Sequence, residues 1–152
     1  MANDKQLRIL LVEDDGPARA ALEDSLRARG FSVSSARSGP PAIRRIREET
    51  DAFDLIIVDL ASPGMDVPEV LHTAMQRGAG TQVVIIASFS MLEAALESVR
   101  RGAADYLTKP FKFAQIEIIL DRAVERKRLV DENSQLSERV QSLYTRLDLL
   151  KE

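Results

Sequence analysis

The side chains of this 152-residue chain that could do chemistry are carboxylates and a lysine, set at the ends of short apolar runs. Glu13, Asp14 and Asp15 follow Leu7–Val12, Asp59 closes Leu55–Asp59, and Lys109-Pro110 follows Asp105–Leu107. Crowded carboxylates repel unless a cation neutralises them, and an oxygen-only donor set suits Mg²⁺ best. Mg²⁺ keeps waters and recruits phosphate oxygens, so a partly filled carboxylate site beside a lysine is suited to receive a phosphoryl group. Asp59 is the candidate nucleophile, because the last place on a buried apolar strand fixes its position. Taken alone, Glu13–Asp15 reads better as a polar turn capping the next helix, and Asp59 equally well as a strand-end turn residue. Their combination with Lys109 before a proline is what points to a site.

These residues need a scaffold that brings distant strand ends together. Over the first 110 residues apolar runs alternate with amphipathic segments, the pattern of an α/β domain with a largely parallel sheet. Five strands are expected, at Leu7–Val12, Phe31–Ala36, Leu55–Asp59, Gln82–Ala87 and Asp105–Leu107. Ala18, Ala21, Leu22, Ser25 and Leu26 make one helical stripe between Pro17 and Gly30; Pro41–Glu49 carries Ala42, Ile43 and Ile46 on one face; Val67 to Met75 marks a third helix ending near Gly78. Ser90-Met91-Leu92-Glu93 predicts a capping box for a helix through Arg101, stopped by Gly102. In an open α/β sheet, ligands gather beyond the carboxyl ends of the strands, where the carboxylates, Ala87-Ser88 and Lys109 fall.

From Lys112 to Glu152 there is no Gly or Pro, which predicts one long helix or two nearly continuous ones. Leu129, Asn133, Leu136, Val140, Leu143, Leu147 and Leu150 line a seam of 3.5-residue period, with Leu129, Leu136, Leu143 and Leu150 at d and Asn133, Val140 and Leu147 at a. Leu at d with Val and a single Asn at a favours a parallel two-stranded coiled coil. The alternatives are a helix folding back on its own domain or docking on a downstream one. Residues 132 and 139 at g face Ser137 and Tyr144 at e, so no interhelical ion pair fixes the partner. Arg122, Arg126, Lys127 and Arg128 precede the seam, but Asp121 and Glu125 interrupt them, and residues 112–152 hold 8 basic and 8 acidic side chains. A solvated face is expected there, with no direct nucleic-acid binding by this segment. The expected division is residues 1–127 for the globular domain and 128–152 for the coiled-coil helix.

Composition narrows the classes further. The absence of cysteine excludes a disulfide framework, a thiolate zinc site and a Cys nucleophile, and one histidine cannot build a multi-histidine centre. The longest apolar run, Val83–Ala87, is far short of the roughly 18–20 residues of a membrane span, and residues 1–6 lack an apolar signal core. A cytoplasmic protein without membrane contact is expected. The net charge of −3 argues against nucleic acid as the main partner, since phosphate neutralisation needs a concentrated basic face.

Leu11-Val12-Glu13-Asp14, then Leu55-Ile56-Ile57-Val58-Asp59 with Pro63-Gly64-Met65-Asp66, then Asp105-Tyr106-Leu107-Thr108-Lys109-Pro110-Phe111, resemble in order and spacing the motifs of receiver domains from two-component response regulators. The resemblance covers residues 7–127. It implies a doubly wound, flavodoxin-like five-stranded parallel sheet of order 2-1-3-4-5, as in the CheY-like superfamily, and phosphotransfer from a kinase phosphohistidine to an aspartate. Residue by residue, Asp59 resembles the phosphoacceptor and a metal ligand, Asp14 a direct Mg²⁺ ligand, Glu13 a ligand acting through water, and the Ala61 carbonyl a further ligand. Lys109 resembles the lysine that pairs with the phosphoryl oxygens, and its bond to Pro110 is often cis in such domains.

One position departs from the pattern. Receiver domains usually carry Thr or Ser at the end of strand four, 22 residues before the lysine, where this chain has Ala87. That hydroxyl normally bonds the phosphoryl group and couples to an aromatic on strand five, here Tyr106, which reads as a rotamer switch or as a surface strand residue. Ser88 could substitute only if the strand were bulged by one residue. Val67 also stands where the family often has Gly, which would alter the turn after Asp66. His72 is expected to be an exposed helical residue without a phosphotransfer role, and Phe89 to guard the site mouth or to pack on the fourth helix.

The resemblance implies a regulatory phosphoacceptor rather than an enzyme, one that assists its own phosphorylation and dephosphorylation. A histidine kinase or phosphotransfer protein is the implied donor, the tail is the homodimer contact, and an effector would follow outside these residues. The tail looks like linkers preceding ATPase domains in nitrogen-regulation-type activators. The alternative is a degenerate receiver serving as a phosphorylation-independent dimerisation or interaction module. A haloacid-dehalogenase-type hydrolase does not fit, since Asp59 is followed by Leu60-Ala61 rather than by x-Asp.

Overall fold

The computed structural model describes residues 6–78 and 80–151. Along the chain run β1 (Arg8–Val12), α1 (Gly16–Ala28), β2 (Ser32–Ala36), α2 (Gly39–Glu48), β3 (Leu55–Asp59), α3 (Val67–Arg77), β4 (Gln82–Ala87), a 3₁₀ turn (Phe89–Met91), α4 (Leu92–Arg100), β5 (Asp105–Thr108) and α5 (Phe113–Lys151). The strands form one sheet in the order β2-β1-β3-β4-β5, every neighbouring pair parallel.

Side-chain parity explains the two layers. Leu10, Val12, Ile56, Val58, Val83, Ile85 and Ala87 meet apolar residues of α2, α3 and α4 in one core. The intervening Ile9, Leu11, Leu55, Ile57, Val84 and Ile86 meet Leu26 of α1 and Ile116, Ile119, Leu120 and Ala123 of α5 in the other. Strands buried on both faces must be apolar at every position, which is why β3 and β4 read as continuous runs rather than alternations. Each Leu or Ile so buried contributes about 1.5–3 kcal/mol relative to exposure.

The helix boundaries follow local chemistry. Asp15 caps α1 by accepting the Ala18 N–H at 3.3 Å, with Pro17 in the first turn, and Asp66 caps α3 by accepting the Glu69 N–H at 3.1 Å. Val67, expected to perturb that turn, is instead the buried first residue of α3. The left-handed backbone the turn requires sits three residues earlier, at Gly64 with φ 65°.

The capping box expected at Ser90 does not form. The Ser88 and Ser90 hydroxyls bond each other at 3.0 Å, the chain takes a 3₁₀ turn, and α4 starts at Leu92. Phe89 does not pack on α4 either: it is 78% exposed. His72 is exposed, as expected.

The last helix is single and unbroken over 39 residues, about 60 Å at 1.5 Å per residue. It does not fold back on the domain. Leu129, Leu136, Val140, Leu143, Leu147 and Leu150 are all about half or more exposed. Among the described residues, no helix is long and apolar enough to cross a membrane.

Candidate functional site

The strand ends hold the candidate residues through backbone bonds to the neighbouring strands. Glu13 N–H donates to the Ala36 carbonyl at 3.0 Å, Leu60 N–H to Ile86 at 2.9 Å, and Lys109 N–H to Ala87 at 2.9 Å. The ends of β1, β3 and β5 therefore deliver Glu13, Asp59 and Lys109 to one place. The Lys109 ammonium is in direct contact with Asp59 Oδ2 and lies 3.9 Å from Glu13 Oε1. Asp59 is 2% exposed and Glu13 8%, so both carboxylates are largely out of water. Asp59 Oδ1 accepts the Ala61 N–H at 2.8 Å, and Glu13 Oε2 accepts the Asp15 N–H at 3.1 Å. The Lys109-Pro110 peptide bond is cis, as the resemblance to receiver domains implies.

The electrostatics separate the two acids. Burial alone would raise the Asp59 pKa, but Lys109, hydrogen bonding with Glu13 and the Ala61 N–H outweigh it and hold Asp59 below the usual carboxylate range. Glu13 goes the other way: burial pushes its pKa up, Asp59 adds to the push, and the Asp15 N–H and Lys109 only partly offset it. Burial would lower the Lys109 pKa, yet Asp59, Glu13 and Asp15 together raise it, so the lysine stays protonated. The site thus holds an ionised, buried Asp59 beside a fixed ammonium.

The donors suit a hard divalent cation. They are oxygens only, Asp59 helps push up the pKa of the buried Glu13, and the buried Asp59 Oδ2 is met by the Lys109 ammonium. Asp14 is exposed at the rim, and among the described residues no three acidic side chains already stand in a ligating arrangement. The structure brings Glu13, Asp59 and Lys109 together and leaves Asp14 outside that contact.

At the switch position β4 is unbulged. Asp59 pairs with Ile86 and Ala87 with Thr108 in continuous register, so Ala87 occupies the strand end, fully buried, and Ser88 lies beyond it with its hydroxyl on Ser90. Tyr106 is half-buried against the same core cluster as Ala87, rather than lying on the surface.

Two contributors were not legible in the sequence. Arg19 Nη1 donates to the Glu13 carbonyl at 2.8 Å and reaches the Asp14 carbonyl at 3.4 Å, clamping the acidic turn from the first turns of α1. Its only signal is a basic residue one turn into the helix that follows an acidic run. Ser62, three residues after Asp59, is 4% exposed with an unpartnered hydroxyl, which no local pattern announces.

Comparison with known proteins decides the family. The response regulator receiver domain model matches residues 9–121. The chain belongs to the response regulator receiver domain family. Among curated relatives, the transcriptional regulatory protein ZraR of Klebsiella oxytoca is 33% identical over 125 residues, covering 82% of this chain and 28% of that protein. The chain therefore spans about a quarter of the length of that relative. Among solved structures, a protein described as an adenylate cyclase from Rhodopirellula baltica aligns with TM-score 0.76 at 28% identity, over 88% of this chain and 98% of that one. NtrX from Brucella abortus aligns with TM-score 0.72 at 27% identity, over 86% of this receiver chain and 29% of its own length.

Proposed function

We propose that this receiver accepts a phosphoryl group on Asp59 from the phosphohistidine of a histidine kinase or phosphotransfer protein. The contact between Lys109 and Asp59 at the converging strand ends is the observation that carries this reading. In the transfer the P–N bond of the donor breaks and a P–O bond forms to an Asp59 carboxylate oxygen. Ionised Asp59 is the competent nucleophile, and Lys109 stays protonated to pair with the phosphoryl oxygens. Glu13, Asp14, Asp59 and the Ala61 carbonyl would hold Mg²⁺, which when bound neutralises charge on the transferring group. An open depression of about 650 Å³ borders the site, running from Glu13, Asp15 and Lys109 along α1 to Pro110 and Phe111.

In this reading the domain ends near residue 127 and the remainder of α5 is a dimerising helix that relays the state of the site to an effector. Burial of α5 through Ala123 and the pairing of Lys127 with Asp54 at 3.2 Å support that boundary. The protein acts in the cytoplasm and assists its own phosphorylation and dephosphorylation, and this segment binds neither nucleic acid nor membrane directly.

Ala87 favours a second reading, a degenerate receiver that works as an interaction module. Incubation with Mg²⁺ and a small phosphodonor, or with beryllofluoride, separates the two. We expect an intact-mass increase of one phosphoryl group that Asp59→Asn abolishes; no modification of the wild-type chain overturns phosphoacceptance in favour of the second reading.

A further inference from the structure

Resting on the reading that Glu13, Asp14, Asp59 and the Ala61 carbonyl hold Mg²⁺, we infer that Arg19 is a positioning residue of that metal site. It holds both peptide planes that flank Asp14, and so fixes where the Asp14 carboxylate stands.

The three acidic residues after β1 are anchored unequally. Glu13 is buried, and its Oε2 accepts the Asp15 N–H at 3.1 Å. Asp15 is committed to α1, its side chain accepting the Ala18 N–H at 3.3 Å. Asp14 lies between them, exposed at the rim, and neither of those bonds engages its carboxylate. A side chain so placed takes its direction from its own backbone, which is defined by the rigid peptide planes before and after its Cα. The carbonyl of the first plane belongs to Glu13 and that of the second to Asp14.

Arg19 bonds to both. Its Nη1 carries two N–H groups in one plane, and it donates to the Glu13 carbonyl at 2.8 Å and to the Asp14 carbonyl at 3.4 Å. The Arg19 backbone N–H donates to the Asp15 carbonyl at 2.8 Å, so one residue meets the carbonyls of all three acids. The guanidinium lies back over Gly16, where a Cβ would stand 3.9 Å from Nη2. Attraction between opposite charges does not explain this arrangement. Among the described residues Arg19 forms no ion pair with Glu13, Asp14 or Asp15, and its donors go to their carbonyls instead. An arginine paired with the Asp14 carboxylate would compete with a cation for it, whereas one bound to the carbonyls leaves that carboxylate free.

The charge of Arg19 and its grip on the turn act on a dication with opposite signs. Losing a nearby positive charge favours cation binding, and losing the orientation of a ligand disfavours it. The full wild-type chain, Arg19→Gln, Arg19→Lys and Arg27→Gln are titrated with MgCl₂ at constant ionic strength. Binding is followed through the backbone amide NMR signals of residues 13–16, well below the melting temperature measured in chelator. We expect Arg19→Gln to raise the Kd for Mg²⁺ about tenfold. Arg19→Lys, which keeps the charge without the planar fork, should fall between it and wild type. Arg27→Gln, which removes the same charge from the last turn of α1, should match wild type. If Arg19→Gln does not fold, Arg19→Lys decides alone. Affinity unchanged or tighter in the folded Arg19 variants overturns the positioning role and spares the metal reading. No saturable Mg²⁺ binding by the wild-type chain overturns both.

Discussion

The two halves of α5 share one backbone and live in opposite surroundings. From Ile116 to Ala123 its apolar face is sealed against the sheet, whereas from Leu129 to Leu150 an equally regular apolar seam lies open. Isolated helices are marginal in water, and most helical stability in proteins comes from packing one face. The docked half owes its order to the domain, while the seam of the open half has no covering surface among the described residues. Hydrophobic periodicity alone does not distinguish the two cases, and the sheet's reach does.

The largest effect should come from charging the open half. Leu136→Lys with Leu143→Lys is expected to abolish self-association in light scattering and to reduce helical circular dichroism, yet leave the domain's cooperative unfolding in place. Loss of that unfolding transition would mean that tail and domain are one unit.

Next in size is a truncation in the docked half. Leu120→Ala should cost about 2–5 kcal/mol in urea unfolding, the range for emptying a sealed leucine site, whereas Leu143→Ala at a concentration where the chain is monomeric should cost almost nothing. Equal costs would erase the contrast.

At the junction itself, Asp54 accepts the Arg8 N–H at 2.8 Å as well as the Lys127 ammonium. Asp54→Ala should lose about 1–3 kcal/mol through these half-buried bonds and speed proteolysis between residues 127 and 136; unchanged cleavage would show that the clasp does not anchor the helix.

The smallest effect lies in the site. Glu13 has a folded-state pKa above its unfolded value, so ionising it near neutral pH opposes folding, and that cost disappears as pH falls through the ordinary carboxylate range. Asp59 is depressed, so its contribution runs the other way: present above that range and lost as acid protonates it. Glu13→Gln should therefore melt higher than wild type near pH 7, with the gap closing on acidification. A lower melting temperature at neutral pH would contradict the assignment.

Much of this was legible because the fold is patterned by simple periods. Leu55–Asp59 and Gln82–Ala87 coincide with β3 and β4 because runs apolar on both faces have few other places to go. Glu13, Asp59 and Lys109 were found through strand ends, and the seam through its spacing. What escaped depends on contacts between residues distant in sequence or on rival local bonds. Ser90 had the right neighbours for a cap, but bonding to Ser88 diverted it. Arg19, Asp54 and Lys127 read as ordinary surface charges until the chain folds around them. Tyr106 and Ala87 share a core cluster that no reading of β5 alone would place.

Gly39 donates its N–H to the Pro63 carbonyl at 2.9 Å, and a Cβ built on it would stand 2.7 Å from the Gly64 carbonyl carbon. The beginning of α2 and the loop that leaves Asp59 thus meet backbone against backbone at Gly39, with the Pro40 ring beside Gly64. Even a methyl group inserted there has to lever the two apart, so this contact works as a spacer gauge, and the tolerance of the loop after Asp59 is set from a residue twenty positions upstream of it.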